Sequence, residues 1–293
     1  MRMIGLSALM GLLAGCSAQN VANTITPTGG FTRTAGIDYG DLPRQKLDVY
    51  VPDDAGPETP VVVYFYGGRW SEGERQGYKF AAQALTSRGY IVVVPDYRLY
   101  PSVRFPAFVE DGAAAVKWVL EQLPGRVSQA GPVFLMGHSA GAHIAAMLTL
   151  DPTYLRPAGH APTELAGFIG LAGPYDFLPL EADDLRDMFG PPERFPASQP
   201  INYVDGSNPP LLLLHGDADQ SVYPKNSRHL AQKVSQAGGP VSLKIYEGLG
   251  HIRIIGNLAL PLRWTSPQLE DIDAFIRETL ADRLAEQGAG ARR

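Results

Sequence analysis

The sequence predicts an α/β domain built on one mostly parallel, doubly wound sheet with helices on both faces. Three observations carry that expectation. Short apolar runs alternate with stretches of helical spacing over most of the 293 residues, the pattern of successive βαβ units. The runs Pro60–Tyr66, Tyr90–Pro95 and Pro210–His215 are apolar almost throughout, as strands covered on both faces must be. A G-x-S-x-G sequence, Gly137-His138-Ser139-Ala140-Gly141, stands at the junction of one such run with a stretch of helix formers, so a tight turn is expected between strand and helix.

Taken in order, Asp38–Gly40 and Lys46–Val51 read as opening antiparallel strands, the second alternating apolar and polar residues. Pro60–Tyr66 is a central strand ending at Gly67-Gly68-Arg69-Trp70. A helix over Tyr78–Ser87 stops at Gly89. Tyr90–Pro95 is the next strand, leading into Asp96-Tyr97-Arg98-Leu99. Apolar residues recur at helical spacing over Phe105–Leu123. Pro132–Met136 is the strand before the serine turn and Ala142–Leu148 the helix after it. Leu165–Ala172 is the sixth strand. Leu180 to Pro200, rich in proline and acid, reads as a small insertion over the site. Pro210–His215, a helix over Pro224–Ala237, Val241–Tyr246 and a closing helix over Pro267–Glu286 complete the domain, placed at residues 32–286 with a polar tail at 287–293.

The composition, 45% hydrophobic and 19% charged with a net charge of −5, offers no basic excess for nucleic acid. The first residues differ from the rest. Arg2, an apolar stretch from Met3 to Leu13 and the closing Leu13-Ala14-Gly15-Cys16 read as a secretory signal over residues 1–15. The closing tetrapeptide resembles a bacterial lipobox, which makes Cys16 an acyl anchor. It is the single cysteine of the chain, so no internal disulfide is open to it. The expected location is a bacterial membrane, with Ser17 resembling the outer-membrane sorting pattern and the domain facing the periplasm. Residues 16–31, small and Thr-rich, read as a flexible tether.

In a doubly wound sheet chemistry gathers at the carboxyl ends of the strands. Ser139 lies at one such end. A serine hydroxyl is a weak nucleophile and needs a base, itself oriented by an acid. Of the six histidines, His251 alone follows both the serine and a strand-end acid, on the glycine-flanked Gly248-Leu249-Gly250-His251. Asp219 is the expected acid, with Asp217 as the near alternative and Asp176 and Glu247 behind it. The backbone N–H of Ala140 and those of the Gly67, Gly68 and Arg69 loop are placed to receive an oxyanion. No His/Cys cluster has the spacing of metal ligands, and no metal or cofactor is expected.

Together these stretches resemble the α/β-hydrolase carboxylesterases related to hormone-sensitive lipase, in the branch of kynurenine formamidase-like and feruloyl-esterase-like proteins. The resemblance runs from about residue 38 to 282. It implies Ser139 as nucleophile, Asp219 as orienter and His251 as base, and maps Gly67, Gly68 and Arg69 onto the oxyanion loop. One departure stands out. The family's loop begins with His, as H-G-G-x-W, and Tyr66 takes that place here, where its hydroxyl can brace the loop. Arg69 has two readings, a guide for substrates carrying a carboxylate and a side chain turned to solvent. The expected activity is hydrolysis of small or short-acyl carboxylic esters through an acyl-enzyme. An arylformamidase-like amide hydrolase and a non-catalytic binding module at the cell envelope are the alternatives.

Overall fold

The computed structural model describes residues 20–127 and 130–290. The signal segment, Cys16 and the last residues of the tail lie outside the described residues. Eight strands form one sheet: β1 (Phe31–Asp38), β2 (Lys46–Pro52), β3 (Thr59–Phe65), β4 (Ile91–Pro95), β5 (Ala130–His138), β6 (Gly167–Leu171), β7 (Leu211–Gly216) and β8 (Val241–Tyr246). Their order is β1-β2-β4-β3-β5-β6-β7-β8. β2 pairs antiparallel with β1 and β4, and the remaining neighbours are parallel. Every residue of β4, β6 and β7 is buried. Since successive side chains point to opposite faces, both faces of the sheet are covered.

Among the described residues, seven α-helices lie between or after the strands: α1 (Lys79–Thr86), α2 (Ala107–Gln122), α3 (Ala140–Leu150), α4 (Asp183–Phe189), α5 (Lys225–Gln236), α6 (His251–Gly256) and α7 (Gln268–Gly290). α1 packs on β2 and β4, α3 on β5 and β6, α5 on β7 and β8, and α7 on β6 and β7. After β3 the chain crosses to β4 on one side and then to β5 on the other. The crevice therefore opens between the ends of β3 and β5, the position where such sheets bind ligands.

The structure corrects the sequence at four places. The opening strand begins at Phe31, not Asp38, inside the segment read as tether. Its polar Phe31–Asp38 sequence is that of an edge strand exposed on most of its length, so it carries little apolar signal. Upstream of it, residues 20–24 are helical and docked rather than free. Asn23 donates from Nδ2 to the Gln76 carbonyl at 2.9 Å and accepts from the Phe80 N–H at 3.1 Å, and Thr26 is buried. His251 opens a short helix, α6, where a loop was expected. The closing helix runs on to Gly290, past the expected start of the polar tail.

The loop after β3 rests on a buried polar network. Tyr66 donates its hydroxyl to Asp96 Oδ1 at 2.8 Å and accepts from Arg44 Nη2 at 2.9 Å. Its ring stacks between Tyr78 and Tyr97, at 5.2 and 4.8 Å between centroids, and Tyr97 donates to the Tyr66 carbonyl. Arg75 joins Asp96 to the fully buried Asp48, which also binds Arg33. Each buried carboxylate thus has cationic partners, the condition for keeping such charges out of water.

The insertion closes over an aromatic cage. His143, on α3, is fully buried. Trp70 meets it edge-on at 5.1 Å, Phe177 at 5.7 Å and Phe189, from α4, at 5.8 Å. Its Nε2 lies 2.8 Å from the Ser198 carbonyl, so the N–H there donates. Burial pushes the His143 imidazole down to about 4, against the opposing pull of that carbonyl. An imidazole in the unfolded chain takes up its proton near ~6.5. Between these two values the unfolded state binds the extra proton, so this contribution to stability is full above the unfolded value and is lost as pH falls from there through about 4. Urea unfolding is expected to show a falling midpoint on acidification. His143→Phe should remove about one proton, ~1.4 kcal/mol per pH unit, from the slope. An unchanged slope in that variant would assign the acid sensitivity to other groups.

Candidate active site

Ser139 sits between β5 and α3 with φ 53° and ψ −122°, a left-handed conformation that a residue with a Cβ adopts only under constraint. The constraint is close packing on the glycines either side. A Cβ on Gly141 would lie 2.1 Å from the Phe65 carbonyl, and one on Gly137 would lie 2.4 Å from Gly141. The turn is therefore pressed against the end of β3, and the serine hydroxyl projects from its apex.

The structure brings Ser139, His251 and Asp219 together. His251 Nε2 is 2.8 Å from Ser139 Oγ, and its Nδ1 is 2.7 Å from Asp219 Oδ2. The Nδ1 proton thus faces the carboxylate, which leaves Nε2 as the acceptor for the serine proton. Asp219 is buried at the end of β7. Burial acts to raise its carboxyl, but hydrogen bonds from His215 and His251, the charge of His251 and the Val222 N–H outweigh it. Asp219 is held well below the ordinary carboxylate range. Its second oxygen accepts from the N–H groups of Ser221 and Val222 at 2.8 and 2.9 Å.

The other acids fall elsewhere. Asp217 accepts from the Gly248 N–H at 2.7 Å and so braces the loop that carries His251. Asp176 pairs with His229 at 2.7 Å, and Glu247 is exposed.

One histidine, His138, has a part that sequence reasoning missed, and another, His215, is structural, as its place at a strand end suggests. His138 Nε2 lies 3.0 Å from the His251 carbonyl, so its N–H fixes the backbone of that residue. Burial, then the neighbouring His251 charge, pushes the His138 imidazole down to about 3, and it stays a neutral donor. His215 is fully buried between Ser227 Oγ at 2.7 Å and the Val222 carbonyl at 2.8 Å, with Nε2 3.3 Å from Asp219 Oδ2. The His138 contact joins positions 113 residues apart, and no local pattern announces it.

Gly67 lies against the serine turn, where a Cβ would meet His138 Nδ1 at 2.9 Å and Ser139 Cβ at 3.2 Å. Gly68 has φ 128°, and a Cβ there would strike the Glu72 carbonyl at 2.2 Å. Arg69 and Trp70 also have positive φ. Among the described residues, the N–H groups of Gly68, Arg69 and Ala140 donate to no backbone carbonyl. Ala140, first residue of α3, is one of the orphan donors of a helix start. Ala140 follows the serine in the chain, and the other two donors follow Gly67, which packs against it, an arrangement suited to charge on a carbonyl oxygen.

Of the two readings of the Arg69 side chain, the solvent-facing one fits its exposure, 50% of the side chain, though the guanidinium is not unpartnered. It forms a two-point ion pair with Asp184 of α4, Nε–Oδ2 at 3.1 Å and Nη2–Oδ1 at 2.9 Å. Arg104 and Tyr100 hold Asp187, one helical turn on, at 2.8 and 2.9 Å. The insertion is thereby tied to the oxyanion loop. Among the described residues, no three His, Cys, Asp or Glu side chains gather as a metal site would require.

A family model, BD-FAE, matches residues 47–234. A probable isoprenylcysteine alpha-carbonyl methylesterase from Oryza sativa subsp. japonica is 31% identical over 265 residues, covering 83% of this chain and 64% of the relative. The kynurenine formamidase of Danio rerio is 27% identical over 232 residues, covering 76% and 75%. The chain spans 50% to 64% of the length of the rice and Arabidopsis thaliana methylesterases it matches. Among solved structures, an esterase B from Lactobacillus rhamnosis, inhibited by a tributyrin phosphonate, superposes with a TM-score of 0.77 at 20% identity over 98% of this chain and 97% of its own. The fold is that of the α/β-hydrolases, and the chain belongs to the BD-FAE family.

Proposed function

We propose that the chain is a carboxylic ester hydrolase working through a serine acyl-enzyme. The observation that carries this reading is the continuous relay from Ser139 Oγ through His251 to Asp219, at 2.8 and 2.7 Å, on a strained turn. In this reading Ser139 attacks the ester carbonyl while His251 Nε2 takes its proton. Asp219 keeps the Nδ1 proton in place and stabilises the imidazolium. The Ala140 N–H and the donors of the Gly67–Arg69 loop receive the oxyanion. His251 returns the proton to the leaving alcohol, and water, activated by the same base, frees the acid. Small or short-acyl esters are the proposed substrates, with the mutually packed rings of Trp70, Phe177 and Phe189, which begin one residue after Arg69, as the proposed limit on the acyl group. The matched relatives named methylesterase and esterase support the ester reading. The formamidase likeness, which spans 75% of that relative, favours an N-formyl aryl amide as the second substrate to assay. The relay argues against a purely binding role, since binding requires no ordered serine–imidazole–carboxylate chain.

Ser139→Ala is expected to abolish hydrolysis of p-nitrophenyl acetate and butyrate, a loss of roughly a million-fold in kcat. Turnover equal to that of the unaltered chain would place the nucleophile elsewhere. Asp219, held well below the ordinary carboxylate range, should contribute no ionisation to the same assay between about pH 5 and 8. Asp219→Asn should cost roughly three to four orders of magnitude in kcat.

The Arg69–Asp184 pair gives a further expectation. Both side chains are about half exposed, at 50% and 45%, so the pair is worth on the order of 0.2–1 kcal/mol. While paired, Arg69 should not discriminate between neutral esters and esters bearing a carboxylate. Asp184→Asn frees the guanidinium and should raise relative kcat/KM for the anionic ester about two- to five-fold. The double variant with Arg69→Ala should return the ratio to its starting value. A ratio identical in all three proteins would remove Arg69 from specificity.

A further inference from the structure

Six of the nine large hydrophobic side chains exposed among the described residues belong to two segments. Val21 and Ile25, 59% and 50% exposed, stand one helical turn apart in the docked N-terminal stretch and so share a face. Ile252, Leu260, Leu262 and Trp264 follow His251, and Trp264 is 85% exposed. The two segments flank the same helix. Asn23 binds the Gln76 carbonyl and the Phe80 N–H at the start of α1. Arg263 binds Gln83 Oε1, one turn further along α1, at 2.5 Å, and the Leu258 carbonyl at 2.7 Å. This inward Arg263 leaves Leu260, Pro261, Leu262 and Trp264 facing out around it.

The chemistry of the face favours lipid. Residues 248–269 contain Arg253 and Arg263 and no Asp or Glu, in a chain of net charge −5. Arg253 is exposed. The Trp264 indole N–H is already satisfied by the Pro261 carbonyl at 3.0 Å, so the ring presents apolar surface with no orphan donor. Tryptophan with nearby arginine is the composition of a membrane–water boundary. The chain upstream adds a geometric limit. Cys16 and Asn20 are four residue steps apart, at most about 14 Å when extended. An acyl chain on Cys16 would hold Asn20, where the docked turn begins, within about that distance of a bilayer.

We propose that Val21, Ile25, Leu260, Leu262 and Trp264 form one surface that rests on a lipid bilayer, with Arg253 toward the headgroup phosphates. The proposal goes beyond ester hydrolysis and rests on the reading of Cys16 as an anchor. The test uses the full acylated chain in vesicles of phosphatidylethanolamine and phosphatidylglycerol with brominated acyl chains. Flotation of the chain beside Cys16→Ser reads the anchor, and tryptophan emission reads the face. Trp70 and Trp118 are 5% and 8% exposed, so the responsive signal comes from Trp264. The expected result is flotation, a blue shift and bromine quenching, with the shift and quenching lost in Trp264→Tyr and reduced in Leu260→Ser/Leu262→Ser. Hydrolysis of a water-soluble ester should be unchanged in both variants. Flotation without quenching, with Trp264 as open to acrylamide as before lipid is added, overturns the face and spares the anchor. Quenching that persists equally in Cys16→Ser upholds the face and removes the anchor. Trp264 shielded without lipid, in step with self-association on sedimentation, assigns the face to a second copy and overturns the proposal.

Discussion

The site depends on a steric constraint at the end of β5. Ser139 is held at positive φ because Gly137 and Gly141 let the turn approach the Phe65 carbonyl more closely than any side chain would allow. That approach exists only because β3 and β5 are neighbours in register, with Phe65 opposite Gly137. The serine turn and the loop after β3 therefore behave as one packed unit. The same contact that strains the serine brings the Gly67–Arg69 backbone alongside it. Catalytic geometry of this kind is set by rigid elements and not by the loops alone.

Around that unit, each polar group in line with Ser139 has a partner that fixes it. Asp219 has two backbone donors on one oxygen and His251 on the other, with His215 close by. The His251 backbone is held by His138, and the preceding loop by Asp217. Tyr66 is held by Asp96 and Arg44 beneath the oxyanion loop. A buried carboxylate left without such donors would take up a proton and cease to orient an imidazole. The number of donors at Asp219, more than its depth, decides its charge.

Much of this was legible in the sequence. Parallel strands buried on both faces must be apolar throughout, so β3, β4, β5 and β7 announced themselves, and the glycines around Ser139 marked the turn. Asp219 and His251 were readable because chemistry collects where strands end. Tyr66 departs from the histidine of the resembled loop, and its hydroxyl supplies the brace by meeting Asp96. Edge structure was harder to read. β1 is polar because one side of it has no neighbour, and a polar, Thr-rich stretch looks the same whether it is a strand or a tether. The Arg69–Asp184 pair joins residues 115 apart. Its formation depends on how the insertion folds back, which no spacing encodes. The docked turn at residues 20–26 was missed for the same reason: Asn23 finds its partners 53 and 57 residues away.

That latch at Asn23 has a mechanical meaning. β1 is an outer strand bonded on one side to β2, and a pull applied to its first residue would peel it from the sheet one hydrogen bond at a time. The chain does not load β1 that way. Asn23 fastens the segment to the Gln76 carbonyl and the Phe80 N–H before β1 begins, and Thr26 is packed behind it. Any force transmitted along the chain from upstream of Asn20 reaches the start of α1 first. From there it passes through Arg75 into the buried carboxylates of Asp96 and Asp48. This outer edge of the sheet is thus relieved of load by a short splice onto α1.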